Sequence, residues 1–251
     1  MKKLQDRVAL VTGGGSGLGK ADCIHLAREG AFVYVTDVNL ETARQVASEI
    51  GERAIALRHD VASQEDWASV YERIESDHGR LDILVNNAGI VVVADPEATT
   101  IEEFDRVMDI MCKGVFLGCK FGLPLLAKSK NGSIINMSST ASHLGYSPFF
   151  AYSAAKGAVR SMSKSIVVHC QEQGYKIRCN TLHPSSIETP MVQGAMGRAG
   201  HEEEVPEGVL PAEAIGAPSD VANLIVFLCS DDARFLTGGE YLVDNGLAIR
   251  P

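Results

Sequence analysis

The 251-residue sequence lacks the features that assign a chain to several large classes of protein. Its six cysteines are scattered without a C-x-x-C pair, and its seven histidines show no metal-ligand spacing, so we expect free thiols and no metal site. No apolar run is long enough to span a bilayer, and residues 1–10 show no signal-peptide pattern. Acidic residues exceed basic ones by 32 to 23, and the net charge of −9 disfavours binding to nucleic acid or an anionic membrane. We therefore predict a cytoplasmic protein that binds neither.

What the sequence does contain is a regular alternation of short apolar runs and amphipathic segments. The runs are almost continuously apolar, as expected for parallel strands buried on both faces. Their order predicts a single α/β domain over residues 1–251, a Rossmann-type doubly wound parallel sheet of about seven strands with helices on both faces. The predicted strands cover 7–12, 31–37, 54–60, 81–87, 133–139, 177–184 and 240–244, and predicted helices include 17–29, 40–50 and 63–78. The irregular, Gly-, Pro- and acid-rich residues 194–217 are either a solvated loop or part of a substrate-side lid near 190–217.

A glycine-rich stretch, TGGGSGLG at residues 12–19, lies where the first predicted strand ends and a predicted helix begins. Glycine permits a tight turn and lets a ligand approach the backbone closely. The following helix presents free N–H groups and the positive end of its dipole, which suit a pyrophosphate. The spacing G-x-x-x-G-x-G is not the commonest dinucleotide fingerprint, and such a turn alone is weak evidence. Its strand–turn–helix context nevertheless predicts a dinucleotide site.

Asp37 ends the second predicted strand, 18 residues after Gly19. A carboxylate there can accept hydrogen bonds from both hydroxyls of an adenosine ribose, and it repels a 2′-phosphate. The neighbouring Ser16, Val38 and Asn39 offer no positive charge to offset that repulsion. Asp37 therefore favours NAD over NADP, although capping of the next turn is an alternative role.

Two further strand ends reach the same edge of the predicted sheet, where open α/β sheets bind ligands. Asp60 and Val61 follow the third strand and could reach the adenine, and Asn86 and Asn87 end the fourth strand. Ordinary turn formation is the alternative for each of them.

The stretch YSAAK places the Tyr152 phenol and the Lys156 ammonium four residues apart. On a helix these positions share one face, and only small side chains lie between them. Taken alone, the pair could equally be a half-buried aromatic residue and a surface lysine.

In combination these motifs resemble the short-chain dehydrogenase/reductase family, from Leu4 to about Gly246. The resemblance depends on T-G-x-x-x-G-x-G at 12–19, N-N-A-G at 86–89, Y-x-x-x-K at 152–156 and a serine, Ser139, thirteen residues before Tyr152. The segments RHDVASQEDW, GSIINMSS, GYKIRCN and HPSSIETPM look like those of bacterial 3β/17β-hydroxysteroid dehydrogenases and related dehydrogenases of cyclic secondary alcohols.

The resemblance implies three catalytic residues. Tyr152 would take the proton of a secondary alcohol while the hydride passes to the cofactor. The unperturbed pKa of a phenol is about 10, and Lys156, together with the positive nicotinamide ring, would bring the pKa of Tyr152 towards the neutral range. Ser139 would hydrogen-bond the substrate oxygen and stabilise its developing charge. Sequence alone leaves Ser138 as a rival, and the family spacing selects Ser139.

The resemblance also implies NAD as the cofactor. Ile187 and Thr189, in HPSSIETPM, would hold the carboxamide, and Lys156 would also bind the nicotinamide ribose. Ser185 replaces the glycine that usually follows this proline, which leaves the local backbone conformation in question. The full set of implied NAD-binding residues is Gly13, Ser16, Gly17, Leu18, Gly19, Asp37, Asp60, Val61, Asn87, Tyr152, Lys156, Ile187 and Thr189.

Met111 departs from the family pattern, which places asparagine at this position to hold a water of a proton relay to the lysine. A thioether cannot donate a hydrogen bond, and Asp109 lies on a different face of the helix. Either the methionine fills the core, or the relay runs elsewhere and oxidation is slower. We expect slower oxidation rather than its loss.

The predicted partner is a small-molecule substrate, a hydrophobic alcohol or ketone, because the residues predicted to line its pocket are mostly apolar. We expect an NAD-dependent dehydrogenase of a secondary alcohol, such as a hydroxysteroid or another bulky alicyclic alcohol. A 3-oxoacyl reductase is the alternative enzyme, and a weakly active NAD-binding scaffold or redox sensor is the alternative of another class. The C-terminal segment 237–246 resembles a strand that family members bury in a tetramer, so we expect a homo-oligomer. The predicted pocket residues are Val91, Val92, Val93, His143, Leu144, Met191, Val192 and Met196.

Overall fold

The computed structural model describes residues 2–196 and 214–250, without the side chain of Met196. Seven parallel strands form one sheet in the order β3-β2-β1-β4-β5-β6-β7, with helices on both faces, which confirms the predicted fold class. The strands are β1 Val8–Thr12, β2 Phe32–Asp37, β3 Ala54–Arg58, β4 Ile83–Asn86, β5 Gly132–Met137, β6 Ile177–Pro184 and β7 Glu240–Val243.

The helices of the described residues alternate with these strands, as the sequence predicted. They are α1 Gly17–Arg28, α2 Leu40–Ile50, α3 Gln64–His78, α4 Ile101–Met108, α5 Gly114–Leu126, α6 Phe150–Glu172, α7 Pro190–Met196 and α8 Pro218–Cys229. A π-helical turn, Asp109–Lys113, joins α4 to α5, and short 3-10 turns cover Thr140–Ser142, Asp231–Ala233 and Leu247–Ile249. Within the described ranges, no helix is both long and apolar enough to cross a membrane.

Side chains alternate between the two faces of the sheet, and each face has its own core. In β1, Ala9 and Val11 pack with residues of α1, α2 and α8, whereas Val8 and Leu10 pack with residues of α3, α5 and α6. Because both faces are covered, a central strand needs apolar residues at nearly every position. Full burial of each Val or Leu side chain stabilises the fold by about 1.5–3 kcal/mol. This explains why the strands read as continuous apolar runs.

Strand order reverses at β1, whose neighbours are β2 on one side and β4 on the other. The connections leaving β1 and β4 therefore diverge and open a crevice at the carboxyl ends of the strands. The predicted lid residues 197–213 lie outside the described part of the chain.

Candidate active site

A cleft of ≈ 540 Å³ opens at the carboxyl ends of the strands. All but two of the predicted site residues line it, and both exceptions contact residues of its wall. Gly19 lies against the carbonyl of Gly13, and the Ser139 hydroxyl donates a hydrogen bond to the carbonyl of Pro184 at 3.4 Å. The predicted residues in the wall are Gly13, Ser16, Gly17, Leu18, Asp37, Asp60, Val61, Asn87, Tyr152, Lys156, Ile187 and Thr189.

The glycine-rich turn forms one end of this cleft. Gly13 and Gly17 adopt φ values of +64° and +52°, in the left-handed region that favours glycine. A Cβ at Gly19 would collide with the Gly13 carbonyl, so the turn packs tightly on α1. The side chain of Ser16, the N-cap of α1, makes no capping hydrogen bond, and no acidic residue lies in the first turn. The N–H groups at the start of α1 are thus free of side-chain partners and suit the pyrophosphate of a dinucleotide.

Asp37 combines the two roles that the sequence left open. Its Oδ2 accepts a hydrogen bond from the backbone N–H of Gly15 at 3.1 Å, and its Oδ1 accepts one from Asn39 at 3.0 Å. The carboxylate also lines the cleft. Asp37 therefore braces the glycine-rich turn while it faces the cleft, a function that the sequence did not indicate.

Asp60 and its neighbours form the adjoining wall. The Asp60 Oδ1 accepts a hydrogen bond from the N–H of Ala62 at 3.0 Å, as expected of a turn-forming aspartate. His59, which the sequence analysis missed, also lines the cleft. Burial lowers the pKa of His59 to about 4, so the ring is neutral at physiological pH. Its Nδ1 lies 3.0 Å from the hydroxyl of Thr36.

The structure separates the two serines at the end of β5. The Ser139 hydroxyl accepts a hydrogen bond from the Ala141 N–H at 3.2 Å and donates one to the Pro184 carbonyl at 3.4 Å. It also lies close enough to the Tyr152 phenol to lower the pKa of that group. Ser138 also forms part of the cleft wall, but its hydroxyl donates to the backbone carbonyl of Lys156 at 3.0 Å. Ser139 is thus the serine associated with the phenol.

Tyr152 and Lys156 lie one turn apart on α6, as their spacing predicted. The Lys156 Nζ lies 5.5 Å from the centroid of the Tyr152 ring and donates to the Met137 carbonyl at 2.7 Å. Burial lowers the pKa of Lys156 to about 8. Burial also raises the pKa of Tyr152, and the neighbouring Ser139 hydroxyl opposes that rise. Among the protein's own groups burial thus has the largest effect on the phenol. The predicted lowering of its pKa by Lys156 together with the positive nicotinamide ring stays a prediction.

A family model described as enoyl-(acyl carrier protein) reductase matches residues 13–248. The chain belongs to the short-chain dehydrogenase/reductase family.

Its relatives match over nearly their whole length. A 3-beta-hydroxysteroid dehydrogenase of Comamonas testosteroni is 40% identical, covering 98% of this chain and 97% of the relative. The NADP-dependent (R)-specific alcohol dehydrogenase of Lentilactobacillus kefiri is 37% identical, with 97% of each chain covered. A crystal structure of 3-ketoacyl-(acyl-carrier-protein) reductase from Brucella melitensis complexed with NADH has a TM-score of 0.88 and 33% identity, covering 98% of this chain and 99% of the other. The chain is accordingly an oxidoreductase of the short-chain family.

Met111, the departure from the pattern of the short-chain family, lies in the π-helical turn between α4 and α5. It is 1% exposed and packs with Val107, Ala151 and Ala155, next to Tyr152. Asp109 forms an ion pair with Lys113 instead, at 3.3 Å. Met111 therefore fills the core, the simpler of the two interpretations made from the sequence.

The segment after β6 meets the glycine-rich turn across the cleft. A Cβ built on Gly17 would lie 3.4 Å from Thr189, whose hydroxyl accepts a hydrogen bond from the Val192 N–H at 3.3 Å. Ser185, in place of the family's glycine, donates its N–H to the Val243 carbonyl at 3.1 Å. Among the described non-glycine residues only Asp6 and Asn245 have a positive φ, so Ser185 adopts its conformation without left-handed strain.

The predicted substrate wall is only partly correct. Met191 and Val192 line the cleft, whereas the side chain of Met196 lies outside the described part of the chain. The residues 91–93, His143 and Leu144 are absent from the described wall, and His143 contacts His183 and Glu240 instead. Arg106 and Ile110 line the cleft and were missed. Their four-residue spacing, which places them on one helix face, was the available signal.

Proposed function

We propose that the protein is an NAD-dependent dehydrogenase that interconverts a secondary alcohol and its ketone, with Ser139, Tyr152 and Lys156 as catalytic residues. The observation that carries this proposal is the placement of the Tyr152 phenol and the buried Lys156 one helical turn apart in the wall of the cleft, with the Ser139 hydroxyl beside the phenol. Bound NAD⁺ supplies the hydride acceptor for the carbinol carbon. Tyr152 takes the hydroxyl proton, and Ser139 holds the oxygen by a hydrogen bond.

Lys156 supplies positive charge beside the phenol. With a pKa of about 8 it is roughly nine-tenths protonated at pH 7. Its Nζ is fixed by the Met137 carbonyl, so the ammonium keeps its place below the tyrosine ring. A positive charge there favours the phenolate over the phenol. It acts against the burial that raises the pKa of Tyr152.

We propose NAD rather than NADP on the basis of Asp37. Its carboxylate is fixed at the cleft by two backbone N–H groups, where it can accept the ribose hydroxyls and repels a 2′-phosphate. The relative from Lentilactobacillus kefiri is NADP-dependent, whereas the similar structure from Brucella melitensis holds NADH. Turnover rates with NAD(H) and with NADP(H) test this preference.

We propose a bulky hydrophobic or alicyclic alcohol as the substrate. Ile90, Ile110, Met191 and Val192 give the cleft an apolar wall. Relatives named for such substrates support this class, among them cyclopentanol dehydrogenase of a Comamonas species, 38% identical over 98% of both chains. The likeness to a 3-ketoacyl-(acyl-carrier-protein) reductase favours reduction of a 3-oxoacyl group as the second candidate. A weakly active NAD-binding scaffold or redox sensor is the third candidate, motivated by Met111.

We also propose a domain organisation, an oligomeric state and a compartment for the protein. Residues 1–251 form one domain, in which 190–217 act as a lid, and Pro190, Met191 and Val192 at its start already line the cleft. The chain forms a homotetramer. This proposal is supported by two exposed apolar side chains near the edge strand β7, Phe235 (95% exposed) and Ile249 (84% exposed). Its compartment is the cytoplasm, a reducing environment that suits six free cysteines.

The test is a panel of steroids, cyclic alcohols, aliphatic ketones and acyl thioesters, each assayed with NAD(H) and NADP(H) by absorbance of the reduced nicotinamide. We expect turnover of cyclic alcohols with NAD⁺ and its loss in Tyr152→Phe, which removes only the phenolic oxygen. Turnover of acyl thioesters with NADPH would favour the reductase. Tight NADH binding without turnover of any compound would favour the scaffold.

A further inference from the structure

A polar cluster adjoins the loop that carries Ser139. The His183 cluster, as we call it, contains Ser142, His143, Arg160, His183 and Glu240. It connects the loop after β5, the end of β6, the start of β7 and the middle of α6. None of its members belongs to the described wall of the cleft.

His183 is the centre of this cluster and is fully buried, with 0% exposure. The shortest contact of its ring is 2.8 Å, between Nε2 and the hydroxyl of Thr181. Nδ1 also contacts the backbone carbonyl of Ser139, which can only accept a hydrogen bond, so Nδ1 carries the ring proton and Nε2 accepts from Thr181. Nδ1 lies 3.0 Å from the Ser142 hydroxyl and 3.3 Å from the Ser139 carbonyl oxygen. The Ser142 hydroxyl in turn donates to that same carbonyl at 2.8 Å. The imidazole therefore fixes the backbone of Ser139 both directly and through Ser142.

Glu240 holds the other side of the cluster. Its Oε2 lies 2.7 Å from Arg160 Nε and its Oε1 lies 2.7 Å from Lys164 Nζ. Arg160 also donates to the Ser142 carbonyl at 3.2 Å. One carboxylate thereby joins β7 to α6, and the guanidinium carries the connection onward to the loop of Ser139.

The two cations lie on the same stripe of α6 as the catalytic pair. Tyr152, Lys156, Arg160 and Lys164 follow one another at intervals of four residues, so their side chains share a helix face. Glu240 thus fixes the helix that carries Tyr152, and His183 fixes the loop that carries Ser139. The relative position of the two catalytic hydroxyls depends on both.

A metal site is the competing explanation, because ligand atoms of His143, His183 and Glu240 all lie within 4.8 Å of one another. Two observations count against it. Arg160 and Lys164 already balance the carboxylate, so a divalent cation would face two like charges at close range. The contact with the Ser139 carbonyl also requires a proton, not a lone pair, on the Nδ1 of His183.

We propose that His183 and Glu240 are positioning residues, which hold the Ser139 hydroxyl beside the Tyr152 phenol. This inference rests on the proposed alcohol dehydrogenase function. Disruption of the cluster slows the chemical step and leaves the glycine-rich turn, and with it the affinity for NADH, unchanged.

The first experiment compares His183→Leu, His183→Asn and Glu240→Gln with the parent in full-length protein, using the cyclic alcohol that the panel turns over fastest. We expect kcat to fall about tenfold or more in His183→Leu and about threefold in Glu240→Gln. His183→Asn retains a polar group near the former Nδ1 and should recover most of the activity. NADH affinity, from fluorescence titration, should stay within twofold in all three variants. Glu75→Gln breaks a surface ion pair with Lys128 on the far helix α3 and is the matched control.

A double-mutant cycle distinguishes positioning from general damage. In a Ser139→Ala background the carbinol oxygen has no serine to bind. His183→Leu should therefore lower the single-turnover rate of NADH formation less than twofold in that background. The proposal is overturned if His183→Leu lowers this rate by the same factor in both backgrounds. It is also overturned if kcat of His183→Leu equals that of the parent. If His183→Leu no longer binds NADH and has unfolded, Glu240→Gln decides by the same criteria.

The metal explanation has its own readout. Zinc retained at one equivalent by the parent after gel filtration, and lost in His183→Leu, would replace the positioning role by a metal site. Failure of the proposed function gives a different result, in which the parent protein turns over no alcohol at all. That result would overturn both proposals together, whereas equal turnover in parent and variants overturns only this one.

Discussion

Asp22 is a buried carboxyl group in α1 that should destabilise the protein at neutral pH. It is 0% exposed, and neither of its oxygens has a hydrogen-bond partner among the described residues. Burial raises the pKa of Asp22 well above its ordinary value, and the group lies near enough to raise the pKa of Cys229 in α8. The carboxyl group therefore sits in the apolar contact between α1 and α8.

The sign of its effect on stability follows from this raised pKa. Below the unfolded-state pKa of about 3.9 the carboxyl is protonated in both states, and its folded form carries no ionisation penalty. As the pH rises, the unfolded chain releases its proton first, so stability is lost on the way through the folded pKa. A buried polar group without a partner costs about 1–3 kcal/mol. For a chain of this size each kcal/mol shifts the melting temperature by roughly 2–4 °C.

Two variants separate the contributions of ionisation and of the buried polar atoms to the destabilisation by Asp22. Asp22→Asn removes the titration and keeps the shape, and Asp22→Ala also removes the buried polar atoms. We expect both to melt higher than the parent at pH 7, with the larger gain in Asp22→Ala, and the gain of Asp22→Asn over the parent to vanish near pH 4. Asp105→Asn, at an exposed position of α4, is the control and should shift the melting temperature little. Equal melting temperatures of parent and Asp22→Asn between pH 4 and 8 would refute the reasoning.

The remaining predictions concern the site. Asp37→Ala should weaken NADH binding about five- to tenfold in fluorescence titrations, because it removes the hydrogen bond that braces Gly15 as well as the ribose acceptor. If the variant gains NADP⁺ turnover and keeps its affinity for NADH, the bracing role is contradicted. Met111→Asn should lower the melting temperature by burying an amide among apolar side chains, and an unchanged rate and pH profile in that variant would disprove a relay at this position. Ser185→Gly should leave kcat within twofold, because Ser185 adopts no left-handed conformation; a large gain would show strain there.

The individual elements of the fold were predictable because their signals are local. Burial on both faces imposes a continuous apolar run on each strand, and seven such runs correspond to the seven strands of the sheet. The glycine-rich turn and the YSAAK spacing are equally local, since each places its groups within a few turns of one helix. Asn39 and Ser63 accept the hydrogen bonds that begin α2 and α3, which fixes the starts of those helices from single residues.

The electrostatics of the site could not be predicted in the same way. The pKa of Tyr152 depends on how completely the phenol is buried, which no sequence spacing shows, and burial raises this pKa. The substrate wall was also partly misplaced, because apolar residues near a motif in sequence, such as Val91 to Val93, need not face the cleft.

By itself, the sequence determined the order of strands and helices, the dinucleotide turn and the neighbouring tyrosine and lysine, since all of these arise from short-range patterns. Only the tertiary structure decided that Asp37 braces the turn, that Asp22 lacks a partner, and that His183 and Glu240, 57 residues apart, meet beside the loop of Ser139. The physical reason is that desolvation and hydrogen bonding between distant segments depend on how the layers pack together. No local pattern encodes that packing.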